Sequence, residues 1–570
     1  GNAGPAISEL EHRPILPQAN QAVTVTCRAH DPDGLASLTL EYRVDPSTSY
    51  SAVPMNDSGT GGDLLAGDGI YSAQIPGKAS GVMTPFRVSA VDSHANPEAT
   101  YFPSADIMQN ALVRFGEPMP SDLFGTYIVW MSNVNVTDLT SRHSRSDHLV
   151  DMTMVYENYR AIYNAGIRFR GNARGYALHN YQRAAYSCSM PKSDRFLGNN
   201  EFKIDIPARG WNIFFPGVPS YIVQEHHANW MARKIGMAAS HLRFIHARVN
   251  GISHLRHDYQ SPTREFAKGW YGDDDPRGYK LTRFQPFRDY RRADGLRAKA
   301  TYRYGVRSRK TTVPSDSWET LFNVVDAQQT VDDAIYDARM EAMIDPYGFG
   351  SYCAVNFVTG NFDSYGWDPA SNNLYVYLSS THRARLHLVD MDLTYHIGGH
   401  VGGNVFPYHA TVTFRLYLTR PLFRRAYFRM LKNLVDGPLR PECYEPELQG
   451  WYDVFEASGI EAAHPQPMMD WHVYKRARIL DEFPAAATFA ITSNSGNDFS
   501  TANSIVTLNG NAPIEVASFR INGRKQRVTY PSDTSWRARL GLASGPNTLI
   551  VEGVGRDGNV VATDTITITL

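Results

Sequence analysis

The sequence predicts a multidomain chain, with a large central α+β unit between two all-β sandwich modules. Three observations carry this expectation. The 570 residues exceed what one core usually organises. Residues 1–105 and 486–570 alternate apolar and polar side chains at the period of a half-buried strand. Residues 106–485 mix strand-like stretches with apolar stripes at helical spacing.

Composition narrows the function classes. The formal net charge is −1, so no global field recruits nucleic acid or an acidic membrane surface. No run of about 18 apolar residues exists to form a transmembrane helix. The opening GNAGPAISEL lacks a basic-plus-apolar leader, and the expectation is a mature secreted or cell-surface form with its signal already removed. The four cysteines, Cys27, Cys188, Cys353 and Cys443, form no C-x-x-C pair, which argues against a zinc or redox motif. Cys353 lies in an apolar run and reads as a small buried hydrophobe.

In the first module, Ala22–Ala29 and Leu38–Val44 read as strands, separated by the turn Asp31-Pro32-Asp33-Gly34. Gly67-Asp68-Gly69 is a second acidic turn, and Pro85–Asp92 a late strand. The Asp-rich turns offer oxygen ligands to Ca²⁺, but their spacing completes no EF-hand loop, and ordinary turn chemistry accounts for them. In the centre, Tyr127–Met131, Ala165–Asn172 and Arg243–Gly251 are strand-like, the last closing on an Asn-Gly turn. Helices are expected over Tyr221–Ile235, Val331–Ile344, Tyr347–Val358, Pro421–Val435 and Trp471–Phe483. His226 and His227 are adjacent on the first of these and point apart, against a shared metal. Asp273-Asp274-Asp275 reads as a solvated loop. Arg424, Arg425, Arg429 and Lys432 lie mostly off the apolar stripe of the fourth helix and read as its solvated face, not a nucleic-acid patch. In the last module, Ser504–Leu508, Ser518–Ile521, Thr548–Glu552 and Thr565–Leu570 alternate as strands, with Asn-Gly turns at 509–510 and 522–523.

The candidate chemistry gathers between Asn356 and His396. The helix over Tyr347–Val358 delivers the turn Gly360-Asn361-Phe362-Asp363. Asn373–Tyr377 and Arg385–Val389 then read as a hairpin that runs into Asp390-Met391-Asp392. Asp363 and Asn373 precede the first strand and Asp390 ends the second, so all three can meet at one end of the hairpin. Hard oxygen ligands gathered there suit Mg²⁺ beside a phosphate chain. Asp and Asn also punctuate turns and cap helices without any further role. No P-loop and no G-x-S-x-G elbow competes with this site.

These pieces resemble the CotH-type spore-coat kinase family, an atypical branch of the protein-kinase-like fold. Gly360-Asn361-Phe362-Asp363 is similar to its G-N-x-D turn and Asn373-Leu374-Tyr375-Val376-Tyr377 to its N-[FYL]-Y-x-Y strand. Val389-Asp390-Met391-Asp392 is similar to its W-D-x-[DN] element, with Val389 where Trp is usual. Arg168-Phe169-Arg170-Gly171-Asn172 is similar to its R-x-R-G-N element near the nucleotide phosphates. The resemblance implies ATP and Mg²⁺ as cofactors, with Asp390 as metal ligand and Asp363 as catalytic or second-metal residue. Asn373 would support the metal and Asp392 assist. Arg168, Arg170, Asn172 and Lys203 would face the phosphates. Two positions depart from the family: Ser187 stands where Lys or Arg is common, and Gln260 near the place of the lobe's Glu.

The flanking modules resemble the immunoglobulin-like and fibronectin-like modules of bacterial secreted proteins. Two functions follow. One is an ATP- and Mg²⁺-dependent Ser/Thr protein kinase acting on extracellular or coat proteins. The other is a catalytically degenerate structural or adhesive surface protein, whose partners are neighbouring surface proteins or further copies of itself.

Overall fold

A computed structural model describes residues 2–121, 123–143, 146–170, 180–207, 221–262, 264–273, 277–281, 304–308, 319–328, 330, 332–361, 364, 373–378, 383–395, 405–406 and 419–570. The chain divides into two compact units, Gly1–Gly210 with His241–Ser261, and Trp211–Ser240 with Pro262–Leu570.

The first unit opens with strands β1 (Ala6–Arg13), β2 (Val23–His30), β3 (Leu35–Tyr42), β4 (Ser51–Pro54), β5 (Ile70–Ile75), β6 (Met83–Asp92), β7 (Ala99–Phe102) and β8 (Ala111–Arg114). They form two sheets, β1-β2-β5 and β4-β3-β6-β7 with β8 also on β6. In β2 the residues Val23, Val25, Cys27 and Ala29 are buried in turn, as strand alternation requires. A closed barrel follows, built from β9 (Gly125–Trp130), β10 (Val150–Tyr156), β11 (Arg160–Phe169), β12 (Tyr186–Ser189), β13 (Glu201–Asp205), β14 (Leu242–Val249) and β15 (Ile252–Gln260). Helix α1 (Asn133–Ser141) links β9 to β10.

Strand β9 serves two cores at once. Tyr127 and Val129 face the barrel interior with Met152, Phe169 and Ile204. Ile128 and Trp130 face the other way and join the sandwich core of Leu10, Val25 and Phe86. This explains why five consecutive residues of β9 are buried. Sandwich and barrel are also pinned by His12, whose Nδ1 lies 2.6 Å from the Tyr163 hydroxyl and whose Nε2 lies 3.0 Å from the Ile15 carbonyl. Burial pushes the His12 pKa down to about 4, so the ring is neutral there.

The second unit contains helices α2 (Gln224–Lys234), α3 (Arg264–Tyr271), α4 (Glu319–Gln328), α5 (Asp333–Met343), α6 (Pro346–Thr359), α7 (Pro421–Val435), α8 (Pro441–Ala457) and α9 (Gln466–Glu482). Strands β16 (Arg277–Leu281), β17 (Tyr304–Ser308), β18 (Leu374–Leu378) and β19 (Arg385–Leu388) form an antiparallel sheet in the order β17-β16-β18-β19. Its C-terminal part has two sheets. One is β20 (Ala490–Ile491), β22 (Ile505–Asn511) and β25 (Ser535–Gly541); the other is β21 (Phe499–Ser500), β27 (Val560–Thr569), β26 (Pro546–Val554), β23 (Ser518–Ile521) and β24 (Arg524–Gln526). They close on Trp536, Leu508, Phe519 and Val551.

The arginine face of α7 is not solvated, as the sequence suggested, but docks this C-terminal part. Arg425 is 4% exposed. Its guanidinium donates to the carbonyls of Ala512 at 3.0 Å, Pro513 at 2.8 Å, Val516 at 3.2 Å and Asp533. Arg424 pairs with Asp533 at 2.8 Å, and Lys432 lies 3.8 Å from Glu515. Arginine's planar fork, with five donors, suits a cluster of carbonyl ends better than water would.

Candidate active site

The site begins with α6. Asp345 caps it, accepting from the Gly348 N–H at 2.8 Å, and Pro346 fills the first turn, where no amide donor is needed. The helix is buried on nearly all sides, as its apolar run predicts for a core helix. It ends at Gly360, which takes the left-handed conformation with φ 64°. A Cβ at Gly360 would come within 2.7 Å of the Trp471 ring, so glycine is needed for space as well. Trp471 in turn donates from Nε1 to the Val358 carbonyl at 2.6 Å.

The next residue, Asn361, is buried and joins two of the sequence motifs. Its Nδ2 bonds Asn356 Oδ1 at 3.1 Å and the Met391 sulfur at 3.1 Å. Phe362 and Asp363 lie outside the described residues, so the catalytic aspartate expected at 363 has no structural account.

The hairpin has the anticipated form. Strands β18 and β19 pair antiparallel with Leu374 opposite Leu388, which puts Asn373 opposite Val389 and one residue from Asp390. Asn373 and Asp390 therefore share one end of the hairpin. Both have positive φ, 52° and 61°, a costly state for a residue with a Cβ and one tolerated best by Asn and Asp. Asn373 is buried, while Asp390 and Asp392 remain partly open.

The loop after β19 is bonded along its length. Met391 N–H donates to Glu225 Oε1 at 3.3 Å, and Gln224 Nε2 donates to the Asp392 carbonyl. Thr394 Oγ1 donates to the Met391 carbonyl at 3.2 Å, and Tyr395 N–H to the Thr359 carbonyl at 2.8 Å. The acidic loop is thus tied to both α2 and the end of α6. The donor set at this hairpin end is hard oxygen throughout, with two carboxylates partly open, and it fits Mg²⁺. Asp390, Asn373 and Asp392 are the described residues that would hold it.

His387, on β19, is a structural histidine. Its Nε2 lies 3.2 Å from the Tyr271 hydroxyl and its Nδ1 3.4 Å from the Ala238 carbonyl. Burial pushes its pKa down to about 4. A neutral ring bonded on both nitrogens is not poised as a general base.

The candidate phosphate cations lie on the barrel. Register pairs Arg168 with Ser187, Ser187 with Lys203, and Lys203 with Tyr259. These four residues form one cross-strand row, on the face opposite to that of Ile167, Cys188 and Ile204. Ser187, which lacks the cation usual at its position, thus has a cation beside it on either neighbouring strand. Arg168 lies 3.1 Å from Asp147, Arg170 pairs with Asp205, and Lys203 sits 4.6 Å over the Tyr259 ring. Asn172 lies outside the described residues. Gln260 Oε1 accepts from the His241 N–H at 3.3 Å. The nearby buried carboxylate is Asp258, held by Tyr127 at 2.7 Å and Arg243 at 2.5 Å.

No pattern in the sequence singled out Gln224, Glu225 or Glu447. Glu225 meets Met391 across 166 residues of chain, and no local pattern reports such a contact. Among the described residues, one acidic cluster stands apart from this site: Asp57, Asp63 and Asp68, whose ligand atoms lie within 4.8 Å of one another. Asp57 accepts from the amides of Gly67 at 2.6 Å and Gly69 at 2.9 Å, and Asp63 from that of Gly59, so the loop's own turns use these carboxylates. Asp273 accepts from the Tyr377 hydroxyl. Asp274 and Asp275 lie outside the described residues.

The first unit is built mainly of strands, and the second holds the Gly-Asn turn and the hairpin that runs into Asp-x-Asp. The family model described as CotH kinase protein matches residues 167–469, more than half of the chain, and the chain belongs to that family. No curated protein matches it. Among the described residues, no helix is long and apolar enough to cross a membrane.

Proposed function

We propose that this chain is an ATP- and Mg²⁺-dependent protein kinase that phosphorylates Ser or Thr of other proteins at the cell surface or outside the cell. The observation that carries the reading is the junction at Asn361 and Met391, which brings the Gly-Asn turn and the acidic loop together. When bound, Mg²⁺ neutralises charge on the phosphate oxygens. Asp390 and Asn373 would hold it and Asp392 would assist. Asp363, two residues beyond Asn361, orients the acceptor hydroxyl and takes its proton. The family resemblance assigns Arg168, Arg170, Asn172 and Lys203 to the phosphates. Phosphoryl transfer asks mainly for such positioning and charge, and family membership supports the same chemistry. The flanking β-rich parts suit an extracellular protein that must be spaced or anchored near its targets.

A degenerate surface protein is the second reading, favoured by Ser187 and Gln260. The row Arg168–Ser187–Lys203 weighs against it, because a cation on either side can replace the missing one. The test is incubation of the purified chain with ATP and Mg²⁺, followed by mass spectrometry of the chain and of added surface proteins. A phosphoryl adduct on Ser or Thr is the expected result. ATP binding without any adduct would favour the degenerate reading.

A further inference from the structure

Helix α2 opens with four consecutive polar residues, Gln224, Glu225, His226 and His227, and all four are buried. They face two ways. Gln224 and Glu225 hold the acidic loop through the Asp392 carbonyl and the Met391 amide. His226 and His227 both reach Glu447 on α8. His227 Nδ1 lies 2.5 Å from one carboxylate oxygen, and His226 Nδ1 lies 3.3 Å from the other. The two histidines share a carboxylate rather than a metal. The far nitrogen of His227, Nε2, lies 2.9 Å from Nε2 of His472 on α9, three residues past the stretch that matches the family.

Burial pushes the Glu447 carboxyl up, but the two histidines beside it, His227 foremost, hold it well below the usual carboxylate range. A carboxylate only accepts, so His227 donates to it from Nδ1. His472 is neutral, its pKa driven down first by burial and then by His227, and one of the two facing Nε2 atoms donates to the other. His472 Nδ1 has no hydrogen-bond partner. Tyr395, which closes the acidic loop, packs against both rings, at 6.2 Å from His227 and edge-on at 5.6 Å from His472.

A buried carboxylate and its histidines are a poor source of stability, because desolvation offsets most of the attraction. What such a group supplies is a fixed geometry. We propose that Glu447 is a positioning residue for the Asp390–Asp392 loop. By gripping both histidines it sets the rotation of α2, and so the reach of Gln224 and Glu225 to the loop backbone. The inference rests on the reading of that loop as the cation site.

The test uses the full chain with Glu447→Gln, Gln224→Met and both together. Gln keeps the size of Glu447 but loses the charge that holds two histidines. Hydrogen exchange of the peptide over residues 389–395 should quicken on the order of tenfold in Glu447→Gln, with Mn²⁺ affinity falling on the order of tenfold. The double variant should lose little more than the worse single, since both act through α2. Wild-type exchange at 389–395 in a folded Glu447→Gln overturns the proposal. So does faster exchange confined to α8 and α9, or losses that multiply in the double variant. Should the wild type take up no Mn²⁺, the cation reading of the loop fails, and exchange at 389–395 alone decides the bracing. Should Glu447→Gln not fold, His472→Gln breaks the far end of the same chain, and the same exchange readout applies.

Discussion

Lys475 shows how a single residue can work against stability. Its side chain is fully buried on α9, with the ammonium 3.9 Å over the Phe357 ring and 4.7 Å over Trp471. Burial, with a smaller push from Arg478, lowers its pKa to about 7. That shift corresponds to up to about 5 kcal/mol of desolvation cost. The two ring contacts offset part of that cost. Below pH 7 both folded and unfolded chains hold the proton, and the full cost bears on stability. Between pH 7 and the ordinary lysine value of 10.5, the folded chain sheds a proton that the unfolded chain keeps, so this residue's burden falls as pH rises. Lys475→Met is therefore expected to melt above the wild type at pH 6, with the gap closing toward pH 10. Thermal melts across that range check it; a gap that does not change with pH contradicts it. Arg425 is the opposite case. Replacing it by Ala would strand four carbonyls in a buried seam, at roughly 3–5 kcal/mol. Limited proteolysis should then release the segment beyond residue 486 first; unchanged resistance would deny the docking role.

At the scale of elements, α6 and α7 cross closely because Gly350 carries no side chain. A Cβ there would lie 3.1 Å from the Ala426 carbonyl group and from Tyr427 Cα, all backbone atoms that cannot turn aside. Gly350→Val is expected to cost about 2–3 kcal/mol, read as a lower denaturant midpoint with an unchanged slope. Both helices were legible in the sequence. The span Pro421–Val435 was read as it stands, and Tyr347–Val358 was one residue short at each end, because apolar side chains mark both plainly. The hairpin strands were legible from alternation. Helix α8 was not, because Pro446 and Gly450 interrupt its pattern; burial of Tyr444, Leu448 and Phe455 offsets the lost bond. The solvated face assigned to α7 failed for a related reason. Charge pattern shows that a face is polar, not what covers it, and the carbonyls met by Arg425 come from about 90 residues or more downstream. The site followed the same rule. Asn373, Asp390 and the Gly360 turn lie within one short stretch and could be read. Glu225, Glu447 and His472 reach it only through the fold.

For the whole molecule, the central claim is that the end of the β18–β19 hairpin is a phosphoryl-transfer site. The helical unit supplies the acidic loop with its braces. The most direct measurement compares ATP-dependent labelling of the wild type with that of Asp390→Asn, in Mg²⁺, with folding confirmed by equal melting profiles. Asn keeps the size of Asp390 and removes one charge from the cation site. The account predicts labelling of the wild type and a loss of two or more orders of magnitude in the variant, because charge neutralisation is the main catalytic contribution. Equal labelling of the two proteins would contradict it.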